Sequence, residues 1–75
     1  LDLDKGWNII PYLREGDMNI VTALNSISSD VTIVKDEDGG IYIPSLGLNT
    51  IGDMEVSKAY LIHVKQDVQF SYPAN

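Results

Sequence analysis

The stretch VTIVKDEDGGIYI, residues 31–43, contains the clearest structural signal in the chain. Residues 31–35 are mainly β-branched and apolar, which favours a strand. Glu37-Asp38-Gly39-Gly40 follows as a turn signal, because glycine adopts positive φ without steric cost. Residues 41–43 are again strand-forming, and Pro44 ends them because proline lacks the N–H that a strand donates. The stretch therefore predicts a β-hairpin and, with it, an antiparallel sheet.

Further strands are predicted on both sides of this hairpin. Residues 1–5 alternate leucine with aspartate, and residues 7–12 are rich in aromatic and β-branched side chains, with Pro11 suited only to a strand end or a sheet edge. Residues 59–65 alternate so that Tyr60, Ile62 and Val64 share one face. Residues 68–72 alternate in the same way after a turn at Gln66-Asp67.

One helix is predicted near residues 18–27. Ile20, Val21, Leu24 and Ile27 recur at spacings that place them on one stripe of a helix. Asp17 or Asn19 could cap it, since a short side-chain oxygen accepts from the free N–H groups of the first turn. Residues 44–58 are irregular, with a turn or a helical turn predicted near 53–57.

These elements predict a mostly β fold with a minor α part: a small antiparallel sheet, curled or closed into a barrel, of five to six short strands and one helix near 18–27. The 75 residues form one domain, 1–75, without cysteine and hence without disulfides. Such a domain buries only about 60% of the surface of its unfolded chain. We therefore expect its large side chains, Trp7 and Phe70 above all, to lie in the core.

The charge balance argues against two classes of partner. Eleven acidic residues face five basic ones, for a net charge of -6. Affinity for nucleic acid comes mainly from basic side chains that neutralise phosphates, and anionic membranes attract the same residues. The apolar runs are also far shorter than the roughly 20 residues that span a bilayer. The sequence thus predicts no nucleic-acid partner and no membrane insertion.

No motif for catalysis or cofactor binding is present. The single histidine, His63, lies in a predicted strand, on the side expected to face solvent. One histidine without cysteine or a second histidine makes a poor metal site. The serines lie in no Gly-x-Ser-x-Gly elbow, and Gly39-Gly40 is not followed by the lysine of a phosphate loop. We therefore expect neither an enzyme nor a cofactor.

The acidic turn offers a weak calcium site as an alternative to a plain hairpin turn. Asp36 and Asp38 begin the spacing of a calcium-binding loop, in which the twelfth position supplies a glutamate. The twelfth position counted from Asp36 is Gly47, so only the start of the pattern is present. The hairpin turn is the preferred interpretation.

Aromatic side chains provide the binding hypothesis. Tyr42, Tyr12 and Tyr60, with Trp7 and Tyr72, could form a platform on which sugar rings stack. Tyr42 lies between two isoleucines in its strand and is expected to be the most exposed of them. Open strand edges could also pair with another chain, although the three prolines lower that tendency.

Several segments together resemble a small accessory module of secreted multidomain proteins, especially of Bacteroidetes. Residues 6–10 (GWNII) resemble its "GWNxI" opening, residues 31–36 with 40–42 its central hairpin, residues 48–52 (LNTIG) its "NxIG" stretch, and residues 59–62 (AYLI) its "GY-hydrophobic" strand, with Ala59 in place of glycine. This resemblance covers nearly the whole chain, and it implies an extracellular or cell-surface accessory domain without a known reaction.

The function expected from these observations is that of a non-catalytic structural or interaction module of a secreted or surface multidomain protein. Its partners would be neighbouring domains of the same chain or another protein. The alternative is a carbohydrate-binding module that tethers an attached enzyme to its substrate. The chain starts at Leu1 and shows no signal peptide, which predicts a fragment of a longer chain or a mature piece.

Overall fold

A computed structural model describes residues 1–74. Nine strands lie in that part of the chain: β1 (Asp2–Leu3), β2 (Gly6–Tyr12), β3 (Met18–Asn19), β4 (Val31–Lys35), β5 (Ile41–Ile43), β6 (Leu48–Asn49), β7 (Asp53–Met54), β8 (Lys58–Val64) and β9 (Val68–Gln69). They are accompanied by a short α-helix, α1 (Ile20–Ala23), and by two 3₁₀-helices, Asn25–Asp30 and Pro44–Leu46.

The main sheet has five antiparallel strands in the order β2-β8-β4-β5-β6. The hairpin predicted for residues 31–43 is confirmed as β4 and β5, with Val34 opposite Tyr42. Strand β8 pairs along its full length with β2, so that Trp7 lies opposite His63. The register between β4 and β8 shifts between Val31 and Ile33, and such a bulge bends the strand and increases its twist.

Two short antiparallel pairs complete the β structure. Strand β1 pairs with β9, and β3 pairs with β7, so that Met18 lies opposite Met54. The Phe70 N–H donates to the Leu1 carbonyl at 2.8 Å, which extends the first pair. The Ile20 N–H donates to the Gly52 carbonyl at 2.8 Å and joins α1 to the second.

The helical segment is shorter than the sequence predicted. Met18–Asn19 is a strand, and α1 ends at Ala23 before the chain continues as the 3₁₀-helix Asn25–Asp30. Asn19 is the cap, since its Oδ1 accepts from the Val21 N–H at 2.9 Å. Asp17, the other cap candidate, accepts instead from the Val56 N–H at 3.0 Å. The serine-rich sequence after Leu24 favours the tighter 3₁₀ turns, because short polar side chains compete for backbone partners.

The core lies on one face of the main sheet, under α1, the 3₁₀-helix that follows it and the two small strand pairs. Its buried apolar side chains are Leu3, Ile10, Tyr12, Met18, Ile20, Ala23, Leu24, Ile27, Val31, Val34, Tyr42, Met54, Tyr60, Ile62, Val64 and Phe70. Phe70, predicted to be core, is 1% exposed.

The predicted fold class is confirmed: a mostly β, antiparallel, curled sheet with a minor helical part. The difference lies in the strand number. Residues 1–5 and 68–72 supply only the two-residue strands β1 and β9, and the irregular stretch supplies β6 and β7. Strand β9 pairs with β1 and not with β8, so Gln66-Asp67 does not close a hairpin.

Tyr72 gives the domain a stability limit at high pH. Burial raises the pKa of Tyr72 to about 12, above its unfolded value of about 10. The folded state therefore keeps a proton that the unfolded chain loses, so stability is full below pH 10 and falls as the pH rises toward 12. We expect urea unfolding followed by circular dichroism to show a lower unfolding free energy at about pH 11 than at about pH 8. Tyr72→Phe should reduce this difference, and an unchanged difference would contradict the prediction.

Candidate functional site

Three of the tyrosines predicted as a binding platform, Tyr12, Tyr42 and Tyr60, lie in the core, so they cannot form an exposed platform. Tyr12 is 0% exposed, Tyr60 2% and Tyr42 4%. Each belongs to the inward-facing set of its strand, and the turn at residues 36–40 sets a register that places Tyr42 opposite the buried Val34. The Tyr12 hydroxyl donates to the Gly16 carbonyl at 2.6 Å, and that of Tyr60 accepts from the Glu55 N–H at 2.7 Å. Burial raises the pKa of Tyr42 and of Tyr60.

Trp7 is more exposed than predicted, whereas these three tyrosines are more buried than predicted. It was expected in the core, and it is 53% exposed. Side chains alternate along β2, so Trp7 shares its side of the sheet with Ile9 and Pro11, while Ile10 and Tyr12 point into the core. The core space beside β2 is thus filled by tyrosine, and the tryptophan lies on the opposite face.

The acidic turn uses its carboxylates within the protein. Asp36 Oδ1 accepts from the N–H groups of Asp38 at 3.0 Å and Gly40 at 2.6 Å. A Cβ at Gly40 would lie 2.5 Å from Asp36 Oδ2, so a larger residue there would displace the Asp36 carboxylate. No group of three or more possible metal-ligating side chains occurs within residues 1–74. The structure therefore gives no support to the calcium site predicted at Asp36 and Asp38.

Lys58, which lies near this turn, forms ion pairs with three acidic side chains. Its Nζ lies 3.0 Å from Glu55 Oε2, 3.5 Å from Asp38 Oδ2 and 3.6 Å from Glu37 Oε1. The hydrogen bond with Glu55 and the surrounding negative charge raise the pKa of Lys58. This ion-pair cluster is exposed to solvent at the rim of the sheet.

The face of the main sheet opposite the core, here called the outer face, is the candidate site. It is made of the side chains that point away from the core: Trp7, Ile9, Pro11, Ile33, Lys35, Ile41, Ile43, Leu48, Ala59, Leu61 and His63.

The strand register makes the outer face continuous. One row runs from Trp7 through His63 to Ile33, and the next from Ile9 through Leu61 to Lys35. Directly opposed side chains in antiparallel strands have Cβ atoms about 5 Å apart, so neighbours in a row touch. Four of the large side chains stay open to solvent, namely Ile9 at 71% exposure, Trp7 at 53%, Leu61 at 44% and Leu48 at 40%.

A cluster of three side chains marks one side of the outer face. The Trp7 and His63 rings meet edge to face, with centroids 5.1 Å apart and planes at 76°. Lys35 places its Nζ 5.4 Å from the centroid of the Trp7 ring, within the range of a cation–π interaction. His63, predicted to be solvated, is partly buried, and its Nδ1 is buried with no hydrogen-bond partner among residues 1–74.

A shallow groove lies beside this cluster. Its volume is about 280 Å³, and its walls include Ile9, Ala59 and Leu61 from the sheet together with Lys35, Asp36 and Glu37. The strand edge next to it is partly protected. Pro11 supplies no N–H, and its carbonyl accepts from the Tyr72 hydroxyl at 2.9 Å. Pro11 was predicted at a strand end or an edge, and β2 is an edge strand.

Ile9, Leu61 and Lys35 were missed as functional candidates by sequence reasoning, although a signal was present. In residues 7–13 and 59–64, most of the side chains are apolar on both alternating faces of the strand. Such near-continuous runs are typical of strands that are covered on both faces. In this structure only one face is covered, so the second apolar face is exposed to solvent.

No helix in the described residues is long and apolar enough to cross a membrane. Comparisons with protein-family models, with curated proteins and with solved structures give no match.

Proposed function

We propose that this chain is a non-catalytic interaction module that docks onto a folded protein surface through its outer face. The observation that carries the proposal is the uncovered apolar side of a sheet whose other side already holds the core. Its exposed side chains amount to roughly 400–600 Å² of apolar surface, the size of the largest patch on a typical monomer, which is often functional.

The size of the outer face is sufficient for a contact with a protein surface. Contacts between domains of one chain bury about 600–1,500 Å² in total, or roughly half of that on each side. A standard stable complex buries about 800 Å² on each side. An apolar surface of the size estimated above is compatible with both classes, because only about 56–65% of a protein interface is apolar.

The non-catalytic part of the proposal rests on the side chains that could perform chemistry. His63 packs against the edge of Trp7, and Asp36 accepts hydrogen bonds from its own turn. An extracellular or cell-surface multidomain protein is the proposed setting, supported by the resemblance of residues 6–10 and 48–52 to the accessory module named above.

The uncharged dye N-phenyl-1-naphthylamine tests the outer face as a docking surface. We expect the dye to fluoresce on binding and to accept energy from Trp7, the only tryptophan in the chain. The double substitution Ile9→Ser with Leu61→Ser should weaken binding about tenfold, because it removes the apolar side chains at the centre of the surface.

Leu46→Ser is the matched control. Leu46 is 73% exposed but lies in the 3₁₀-helix Pro44–Leu46, outside the outer face. Its substitution should leave dye affinity unchanged. Equal losses in the control and in the double variant, or no loss in either, would contradict the proposal.

A carbohydrate-binding module is the second candidate, and it is now supported by Trp7 in place of the tyrosines. An indole exposed beside a shallow groove can stack on a sugar ring. A glycan array tests this function: a hit that is lost in a folded Trp7→Ala variant supports sugar binding, and the absence of hits with the wild type counts against it.

A further inference from the structure

The geometry points to a partner surface that is apolar and carries a carboxylate opposite Lys35. This inference rests on the proposed docking function and specifies the chemistry of the partner. We infer that Lys35 selects a protein partner with an acidic side chain, and that the Trp7 ring and the Lys35 ammonium form one composite recognition site.

The acidic side chains of this chain lie outside the strands of the main sheet, which leaves Lys35 as an isolated charge on the outer face. The chain has eleven acidic residues, yet the five strands of the main sheet contain no aspartate or glutamate. Their only formally charged side chains are Lys35 and Lys58. Lys58 is surrounded by three carboxylates at the rim, so Lys35 is the charge that a docked partner would meet.

Lys35 lies where a docked partner would cover its ammonium group. It lies on β4, the middle strand of the five, between Leu61 of β8 and Ile41 of β5. Its ammonium extends over Trp7 on the far side of β8. A partner that covers Trp7 and Leu61 therefore also covers the ammonium.

No carboxylate within residues 1–74 forms an ion pair with Lys35. Among residues 1–74, every ion pair within 4.0 Å involves Lys58. Asp36 is adjacent in sequence, but its Oδ1 accepts from two backbone amides of the turn. Glu37 is directed to Lys58 at 3.6 Å.

A wholly apolar partner would leave a desolvated ammonium without a counter-charge, which is strongly unfavourable. A carboxylate across the interface removes that penalty and sets the orientation of docking. A second copy of this chain fits less well, because its outer face offers another lysine and no acidic strand residue, and each copy carries a net charge of -6.

Two dyes that differ by one anionic group test this inference. 8-Anilino-1-naphthalenesulfonate is N-phenyl-1-naphthylamine with a sulfonate added, and the sulfonate serves as the anionic group that Lys35 would meet. We expect the wild-type chain to bind the sulfonate dye about threefold to fivefold more tightly than the uncharged dye, as for an ion pair that is partly exposed. Added salt should reduce this preference by screening.

Lys35→Gln should abolish the preference for the sulfonate dye, measured as the ratio of the two dye affinities within the same variant. Arg14→Gln makes the same change of net charge in the loop after β2, where Arg14 donates to the Pro73 carbonyl, and it should keep the preference. Equal affinities for the two dyes in the wild type, or a preference that persists in Lys35→Gln, would overturn the inference while the docking function stands.

Two further outcomes distinguish this inference from its premise. If neither dye binds, the docking function fails together with the inference. If the Trp7 emission shifts on concentrating the protein without dye, and the mass in solution doubles, a second copy covers the outer face and the acidic partner is overturned.

Discussion

Phe70→Ala should leave most of the protein unfolded at 25 °C. Phe70 is 1% exposed and packs edge to face on Tyr72, with ring centroids 4.7 Å apart. Truncation of a buried phenylalanine costs about 3–5 kcal/mol, because the lost burial is joined by the cost of a cavity. A single core of this size supplies only about 3–5 kcal/mol in total. Far-UV circular dichroism with urea titration measures the result.

Two variants serve as controls for Phe70→Ala. Phe70→Leu keeps an apolar side chain in the site and should remain folded, at a cost of roughly 1.5 kcal/mol. Leu46→Ala, at a side chain that is 73% exposed, should change stability by no more than about 0.5 kcal/mol. A Phe70→Ala variant with the wild-type urea midpoint would show that Phe70 does not hold the core together.

Trp7→Ala should have the opposite effect to Phe70→Ala: the protein should stay folded but bind the dye much more weakly. Its side chain is 53% exposed, and its specific contacts are the edge of His63 and the ammonium of Lys35. Such contacts contribute about 1 kcal/mol at exposed sites. Aromatic anchors of binding surfaces contribute about 2 kcal/mol or more, so affinity for the uncharged dye should fall more than tenfold.

Calorimetry is the suitable measurement for Trp7→Ala, because the variant has lost its fluorescent donor. Urea titration of the same samples gives the stability. If Trp7→Ala unfolds as readily as Phe70→Ala, Trp7 is a core residue in solution and the outer face is covered. If it stays folded and binds the dye as the wild type does, the binding site lies elsewhere on the surface.

Local signals were sufficient to predict the main strands. The hairpin of β4 and β5 combines β-branched runs with a glycine turn, and both depend on neighbours in sequence. The alternation of Tyr60, Ile62 and Val64 predicted the buried side of β8. These features need no knowledge of distant residues, because the period of a strand is a property of the backbone itself.

The faces of β2 and β5 could not be predicted in this way. In β2, Trp7 and Ile10 lie on opposite sides, and both are apolar, so alternation alone does not tell which side meets the core. In β5, Tyr42 lies inward only because of its register with Val34. The assumption that the largest side chains must be buried was wrong for Trp7. A sheet with apolar residues on both faces gives no polarity contrast from which to choose.

The short helical and C-terminal elements depended on partners far away in sequence. Met18–Asn19 forms a strand because Asp53–Met54 comes to pair with it. Val68–Gln69 does not pair with β8 because it pairs instead with Asp2–Leu3. Neither choice is visible from propensity, since both are decided by contacts that form only in the folded chain.

The pairing of β2 with β8 also bears on how a ribosome delivers this chain. Gly6–Tyr12 is synthesised before its partner in the main sheet, Lys58–Val64, and the segments between them are made in the interval. During that interval the nascent strand displays apolar side chains in both directions, with Trp7 and Ile9 on one side and Ile10 on the other. Long-range pairing of this kind folds slowly and leaves the growing polypeptide open to aggregation, so the interval between the synthesis of these two strands is the period in which a chaperone would matter most.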